Sequence, residues 1–174
     1  MFTLEGKTVL VTGASRGIGA SIARLAAKAG ARVLGHASAP SEAVDTLFAD
    51  GIVGAGDLFV ENLGAPQAGF RLAAAAIKRA GRLDAVVNNA GVATASPIGG
   101  RVGDWDEGWA EIMAVNLKAP ADISRAFIAH CRQHADDGRG GRVVNVASRA
   151  GHRGDGLDFS AYAASKGGML ALTK

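Results

Sequence analysis

Thr12-Gly13-Ala14-Ser15-Arg16-Gly17-Ile18-Gly19, or TGASRGIG, is the stretch of sequence that decides the fold. It joins a short β-rich run at 7–12 to residues 17–30, whose apolar side chains recur with a helical period. A strand that enters a helix through a glycine turn points free backbone N–H groups at one place, and the helix dipole adds about half a positive charge there. The stretch therefore predicts a pyrophosphate-binding turn, although the glycines alone leave a plain strand-to-helix turn open.

Strand-like and helix-like segments alternate along the whole chain. Strands are predicted at 7–12, 32–35, 51–56, 83–88 and 142–147, and helices at 17–30, 41–50, 64–81, 104–135 and from 160 onward. This alternation predicts βαβ units, with a parallel sheet and right-handed crossovers that place helices on both faces. We therefore expect an α/β, Rossmann-like doubly wound fold that forms a single dinucleotide-binding domain over residues 1–174.

Composition and charge exclude several classes of protein. The net charge of +3 comes from 19 basic and 16 acidic residues that are dispersed, so no basic patch indicates binding to nucleic acid or to a membrane surface. No apolar run approaches the roughly 20 residues that span a bilayer, and no signal peptide is visible. The single cysteine, Cys131, cannot form an internal disulfide, which favours a cytoplasmic protein.

His130 and His134 flank this cysteine at helical spacing, as some metal ligands do. Because no third ligand is evident, we interpret them as solvated residues near the end of a helix, and we expect no metal site.

The residues at the end of the second predicted strand bear on the choice of cofactor. NAD-binding sites usually place a carboxylate there for the ribose hydroxyls. Here the local sequence is Gly35-His36-Ala37-Ser38, with no carboxylate, while Arg16 could meet a 2′-phosphate and Ser38 could donate to it. This pattern predicts NADP(H) in preference to NAD, unless Arg16 only covers the turn and an acidic residue lies elsewhere.

Four polar residues in the second half of the chain carry the candidate chemistry. Tyr162, the only tyrosine, lies four residues before Lys166 and on the same face of a predicted helix. Ser148 follows the fifth predicted strand, and Asn116 lies in the long helical stretch before it. A phenol is a poor base at neutral pH because its ordinary pKa is about 10, but a neighbouring ammonium stabilises the phenolate. Each residue alone has a structural interpretation, although a phenol beside an ammonium group is suited to proton transfer.

TGASRGIG, the segment Asn88-Asn89-Ala90-Gly91 (NNAG) and the ordered Asn, Ser and Y-x-x-x-K residues resemble the short-chain dehydrogenase/reductase family, and in particular its 3-oxoacyl-acyl-carrier-protein-reductase-like members. The resemblance covers nearly the whole chain. It implies an NAD(P)(H)-dependent oxidoreductase that interconverts a carbonyl and a secondary alcohol. In this interpretation Tyr162 is the general acid and base, Lys166 tunes it and binds the nicotinamide ribose, Ser148 orients the substrate oxygen, and Asn116 holds a water.

The same resemblance implies the contacts with the cofactor. Asp57 is expected to follow the third strand and to face the adenine amino group, with Leu58 beside it, and NNAG is expected to steady the sheet next to the cofactor. The cofactor-binding residues expected in this way are Gly13, Ser15, Arg16, Gly17, Ile18, Gly19, Ser38, Asp57, Leu58, Asn89, Ala90, Gly91, Tyr162 and Lys166.

The chain stops eight residues after Lys166, whereas family members continue with further strands, so the resemblance implies that the C-terminal strands are missing. Two functional hypotheses remain: an active oxidoreductase of which this chain is a part, and a non-catalytic nucleotide-binding or dimerisation module. By resemblance we also expect a homodimer or homotetramer, assembled through the long helix before the fifth strand and the helix that carries Tyr162. The expected substrate is a small carbonyl compound or alcohol.

Overall fold

The structure is a computed structural model that describes residues 3–134 and 140–174. Within these ranges the strands are β1 Thr8–Val11, β2 Arg32–Ala37, β3 Leu58–Val60, β4 Ala85–Asn88 and β5 Arg142–Asn145. The α-helices are α1 Gly17–Lys28, α2 Glu42–Ala49, α3 Ala68–Ala80, α4 Val102–Met113, α5 Ala119–Gln133, α6 Ala150–Arg153 and α7 Ser160–Leu172.

The five strands form one parallel sheet in the order β3-β2-β1-β4-β5. This order confirms the predicted doubly wound α/β fold, because the chain runs outward from β1 in one direction and then returns to continue beyond β1 in the other. The carboxyl ends of β1 and β4 therefore lie side by side where the order reverses, and ligands of such sheets bind at that crevice.

Alternate residues of β1 pack into two separate cores, one on each face of the sheet. Val9 and Val11 belong to a cluster that includes Ala23 of α1 and Leu47 of α2. Leu10 belongs to a second cluster, which contains buried residues of α3 and α5. The apolar run Val9–Val11 is thus explained by burial on both faces of the sheet, as expected for a parallel strand.

The third strand was predicted in the wrong place. Residues 51–57 form turns and irregular backbone, and the strand is Leu58–Val60. Gly51 and Gly56 adopt positive φ angles of 66° and 77°, which interrupt an extended strand. The apolar residue Val53 that suggested a strand is instead buried against the α1 and α2 cluster.

The long helical stretch predicted at 104–135 is divided by a π-helical turn at Ala114–Lys118, between α4 and α5. Such turns occur often at functional sites, and this one contains Asn116. In the described part of the chain no helix is both long and apolar enough to cross a membrane.

Candidate active site

The glycine turn brings β1 to the amino end of α1 through two close approaches. Gly13 has a φ of 64°, and a side chain there would bring its Cβ within 3.0 Å of the Ala90 Cα atom. A Cβ at Gly19 would lie 2.1 Å from the Gly13 carbonyl oxygen, so a larger residue cannot occupy this position without moving the helix.

The amino end of α1 has the free donors that an anion requires. The amides of residues 15–19 have no hydrogen-bond partner among the described residues, and Arg16, Gly17 and Ile18 are exposed. Free amides and the positive end of the helix dipole coincide here, as in known phosphate sites. The amides of Gly13 and Ala14, in contrast, are already bonded to His36.

NNAG is bonded to the glycine turn through Thr12. The buried Thr12 hydroxyl accepts hydrogen bonds from the Asn89 and Ala90 amides at 2.9 and 3.0 Å. The Asn89 side chain donates to the Thr12 and Gly13 carbonyl oxygens at 2.9 and 3.2 Å. NNAG therefore fixes the position of the turn relative to β4.

Asn116, Lys166 and Gly91 meet at one point, although they come from three distant parts of the chain. A Cβ placed on Gly91 would lie 3.2 Å from Asn116 Oδ1 and 3.6 Å from Lys166 Nζ, so the close approach depends on glycine. Lys166 is buried and donates from Nζ to the Val146 carbonyl oxygen at 2.8 Å. Its Nζ atom lies 5.9 Å from the centroid of the Tyr162 ring. Burial lowers the pKa of the Lys166 ammonium group.

Ser148 lies on the segment that joins β5 to α7. Its hydroxyl accepts a hydrogen bond from the Ala150 amide at 3.2 Å, which starts the short helix α6. Gly151 in that helix packs on the backbone of Lys166, where an added Cβ would be 2.6 Å from the Lys166 carbonyl carbon. The segment that follows Ser148 is thereby held against the helix that carries Tyr162 and Lys166.

Asp57 and Leu58 do not lie where the sequence placed them. Asp57 precedes β3, at the amino edge of the sheet, and Leu58 is the first residue of that strand. The Asp57 carboxylate is buried and forms ion pairs with Arg32 at 2.7 Å and Arg79 at 2.8 Å. The Arg32 hydrogen bond lowers the pKa of Asp57, and the nearby charges of Arg32 and Arg79 lower it further, in spite of an opposing effect of burial. The carboxylate is a structural ion-pair partner, far from the carboxyl edge where the glycine turn lies.

The prediction that His130 is solvated is also wrong, because this residue is buried. Its Nε2 atom accepts a hydrogen bond from the Leu83 amide at 3.2 Å, and its carbonyl oxygen lies 2.9 Å from Nδ1 of His134. Among the residues that the structure describes, no group of three or more His, Cys, Asp or Glu side chains is arranged to hold a metal ion.

The family model for the short chain dehydrogenases matches residues 7–174, which includes every segment described above. The chain belongs to the short-chain dehydrogenase family. The glycine turn, NNAG and the Y-x-x-x-K pair of this dehydrogenase chain all fall within the matched region.

Individual members of the family are similar over almost the whole chain. The 3-oxoacyl-[acyl-carrier-protein] reductase of Vibrio cholerae is 36% identical over 98% of this chain and 66% of its own length. A sorbitol dehydrogenase of Cereibacter sphaeroides is 34% identical over 98% of this chain and 63% of its own length. The crystal structure of a metagenomic short-chain oxidoreductase in complex with NADP has a TM-score of 0.80 and 36% identity, over 97% of this chain and 73% of its own. The chain thus spans slightly less than two thirds of the length of these two curated relatives.

Sequence reasoning missed three buried polar residues that connect the segments of this candidate site. Thr12 joins the glycine turn to NNAG, Ser165 joins Asn116 to the Tyr162 backbone, and His36 joins the turn to the segment after β3. Ser165 accepts from Asn116 Nδ2 at 3.1 Å and donates to the Tyr162 carbonyl oxygen at 2.7 Å. Their places inside motifs or at a strand end were the available signals, since buried polar groups nearly always have a partner.

Proposed function

We propose that this chain binds NADP(H) at the carboxyl edge of its sheet and supports the reversible reduction of a carbonyl compound to a secondary alcohol. The observation that carries the proposal is the buried amine of Lys166, which lies beside the Tyr162 ring and against Gly91. Burying an ammonium group is costly even when it is hydrogen-bonded, and a buried titratable group with a shifted pKa is a candidate functional residue. Gly91 follows β4, and the carboxyl end of β4 borders the crevice at which such sheets bind dinucleotides.

The residues of the glycine turn fit a pyrophosphate. The free amides of residues 15–19 supply hydrogen-bond donors. No atom lies within 4 Å of a Cβ built on Gly17, so the space beside this residue is open to a phosphate group. We infer that the phosphates bind at Ser15, Arg16, Gly17, Ile18 and Gly19. Gly13, Asn89, Ala90 and Gly91 form the floor beneath the cofactor.

The preference for NADP(H) rests on charge. The end of β2 presents Ala37 and the exposed Ser38 without a carboxylate, so a 2′-phosphate meets no repulsion from this strand end. Arg16 is exposed on the turn, and a guanidinium recognises phosphate well. The metagenomic relative, whose structure was solved with NADP, is consistent with the same preference.

We assign the adenine contact, which the sequence analysis predicted for Asp57 and Leu58, to residues that follow β3 instead. Val60 ends that strand, and Asn62 and Leu63 follow at its carboxyl edge. Asn62 is exposed, with its side-chain oxygen accepting from the Gly64 amide at 2.9 Å, while Leu63 is buried. We infer that the Asn62 amide faces the adenine.

In the proposed mechanism the Tyr162 hydroxyl donates a proton to the substrate oxygen during reduction and accepts it during oxidation. When bound, the nicotinamide supplies or accepts the hydride. The Lys166 ammonium group has three N–H donors, one of which donates to the Val146 carbonyl oxygen. The other two are available for the phenolate and a ribose hydroxyl. The Ser148 hydroxyl orients the substrate oxygen and stabilises its developing charge. Asn116 has one Oδ1 lone pair left through which it could hold a water, and its other contacts fix the loop at Val92.

We also retain two coarser expectations as proposals. Self-association into a homodimer or homotetramer is proposed from the family resemblance alone. A cytoplasmic location is favoured by the lone thiol of Cys131. Sedimentation velocity of the purified protein tests the first, and cell fractionation tests the second.

The deciding experiment compares Tyr162→Phe with the natural protein. Titration with NADPH measures binding, and oxidation of NADPH over a panel of ketones measures turnover. We expect the phenylalanine variant to bind NADPH normally and to lose about 100-fold or more in turnover, the usual contribution of a general acid. Ser160→Ala is the matched control, because it removes a hydroxyl group from the same helix. The Ser160 hydroxyl oxygen has no hydrogen-bond partner among the described residues. Equal turnover by Tyr162→Phe and the natural protein would overturn the mechanism, and binding without any turnover in the natural protein would favour the non-catalytic module.

A further inference from the structure

His36 occupies a buried position between two walls of the proposed cofactor site. It lies in β2 and is 1% exposed. Its Nδ1 atom accepts a hydrogen bond from the Gly13 amide at 3.2 Å, and its Nε2 atom lies 2.8 Å from the Glu61 carbonyl oxygen. Both ring nitrogens are therefore used, one on each side of the strand.

These two partners determine the protonation state of the ring. A backbone amide can only donate and a carbonyl oxygen can only accept, so Nδ1 must carry a lone pair and Nε2 must carry the proton. This is the neutral Nε2–H tautomer. Burial agrees with it, because desolvation lowers the pKa of His36.

The ring joins segments that the sheet alone does not connect directly. Gly13 belongs to the turn after β1, whereas Glu61 follows β3, and β2 lies between them. Main-chain bonds reinforce the same connection: the Ala14 amide donates to the His36 carbonyl oxygen at 2.8 Å, and the Glu61 amide donates to the Ala37 carbonyl oxygen at 3.1 Å. The separation between the glycine turn and the segment 61–63 is therefore set by the His36 imidazole together with these two main-chain hydrogen bonds.

We propose that His36 is a positioning residue of the cofactor site: its neutral imidazole sets the distance between the pyrophosphate-binding turn and the adenine-facing segment without touching the cofactor. The inference rests on the proposed function, since it assumes that both segments contact one dinucleotide. Because the ring occupies the Gly13 amide, the phosphates are left to the amides of residues 15–19.

Three substitutions separate the two hydrogen bonds. In His36→Asn the amide oxygen can replace the Nδ1 acceptor, in His36→Gln the amide nitrogen can replace the Nε2 donor, and His36→Leu has neither. We expect His36→Asn and His36→Gln each to raise the Kd for NADPH about fivefold, the effect of one neutral hydrogen bond, and His36→Leu to raise it more than either. The KM for NADPH should follow the Kd while kcat stays within about twofold, because the reacting groups are untouched.

His130→Gln is the matched control, because His130 is the other strongly buried histidine among the described residues and its ring bonds the Leu83 amide. This variant should leave the Kd for NADPH unchanged even if it lowers the melting temperature. In ¹⁵N-labelled natural protein, the imidazole spectrum of His36 should show an unprotonated Nδ1 and a protonated Nε2. The Gly13 amide resonance should stay in place in His36→Asn and move in His36→Gln.

The outcomes are distinguishable. Natural protein that binds neither NADPH nor NADH overturns the proposed function, and the inference with it. Natural protein that binds NADPH, with a Kd that His36→Asn and His36→Gln leave unchanged, overturns the role of His36 while the proposed function stands. An imidazole protonated at Nδ1 overturns the tautomer on which the role depends.

Discussion

The side chain of Asn116 forms hydrogen bonds with both main-chain groups of Val92. Its Oδ1 atom accepts from the Val92 amide at 2.8 Å, and its Nδ2 atom donates to the Val92 carbonyl oxygen at 2.9 Å. Asn116 is fully buried in the π-helical turn. Its side-chain amide bonds the loop after β4 as the backbone of a neighbouring strand would. The same amide reaches Ser165, which connects this loop to the helix that carries Tyr162.

Replacing Asn116 by aspartate keeps the shape of the side chain but removes its two N–H donors. The new oxygen would face the Val92 carbonyl and the Ser165 hydroxyl, and the first of these contacts becomes repulsive. Because buried polar groups that lose their partners cost about 1–3 kcal/mol each, we expect Asn116→Asp to lower the free energy of unfolding by about 3 kcal/mol. Urea denaturation measures the loss.

Asn62→Asp is the control for that substitution, because Asn62 is exposed and its side-chain oxygen keeps its role as acceptor for the Gly64 amide. It should change the free energy of unfolding by less than about 0.5 kcal/mol, as is usual at the surface. Equal stabilities of the two variants would show that the pairing with Val92 does not hold the loop.

Removing the guanidinium of Arg16 tests the choice of cofactor. If Arg16 meets a 2′-phosphate, Arg16→Ala should weaken NADPH binding by about tenfold, the effect of losing a charged hydrogen bond, and leave NADH binding unchanged. Fluorescence titration with each nucleotide measures both affinities. Arg24→Ala is the matched control, since Arg24 lies on α1, the helix that Arg16 precedes, and pairs with Asp50 at 3.5 Å. A loss of NADPH and NADH affinity to the same extent would assign Arg16 to the shared pyrophosphate instead.

The places of Tyr162, Lys166 and Ser148 in the fold could be predicted from the sequence because short-range rules fix them, while their catalytic roles remain a proposal. Tyr162 and Lys166 lie four residues apart on α7 and therefore share a helix face, and Ser148 comes shortly after the β-rich run that forms β5, Arg142–Asn145. The glycine turn was predictable for a similar reason, since the positive φ of Gly13 and the close packing of Gly19 demand glycine locally.

Predictions failed where a long-range partner decides the structure. Asp57 matched an expected motif, but Arg32 and Arg79, which bind its carboxylate, are distant in sequence. The run at 51–56 has the apolar character of a strand, but its glycines turn the chain and the strand begins only at Leu58. The connecting role of His36 could not be predicted because its partners, Gly13 after β1 and Glu61 after β3, are distant in sequence.

Asp57→Asn tests the corrected assignment of this residue. Loss of the charge leaves Arg32 and Arg79 without their shared carboxylate, but the two arginine side chains are 39% and 46% exposed and water screens them, so the free energy of unfolding should fall by about 1 kcal/mol. We expect that loss in urea denaturation, together with an unchanged Kd for NADPH, because Asp57 lies at the amino edge of the sheet. A weaker Kd at unchanged stability would instead restore Asp57 to the adenine site.

The stability of the fold should fall as the pH decreases below about 6.5, and His130 should contribute to the decline. Burial lowers the pKa of His130, and the charges of His134 and Arg82 lower it further. Between this lowered pKa and the ordinary value near 6.5, the unfolded chain binds a proton that the folded chain does not, so protons favour unfolding. The contribution of His130 to stability is therefore complete above about pH 6.5 and is lost as the pH falls through its folded pKa.

The variant His130→Gln tests this contribution, because its side-chain oxygen can still accept a hydrogen bond from the Leu83 amide but cannot be protonated near neutral pH. It should flatten the plot of unfolding free energy against pH between 7 and 5, measured by urea denaturation. His152→Gln, which removes an exposed histidine, should leave the slope as it is in the natural protein. If His130→Gln shows the natural slope as well, the buried ring is not a source of the pH dependence.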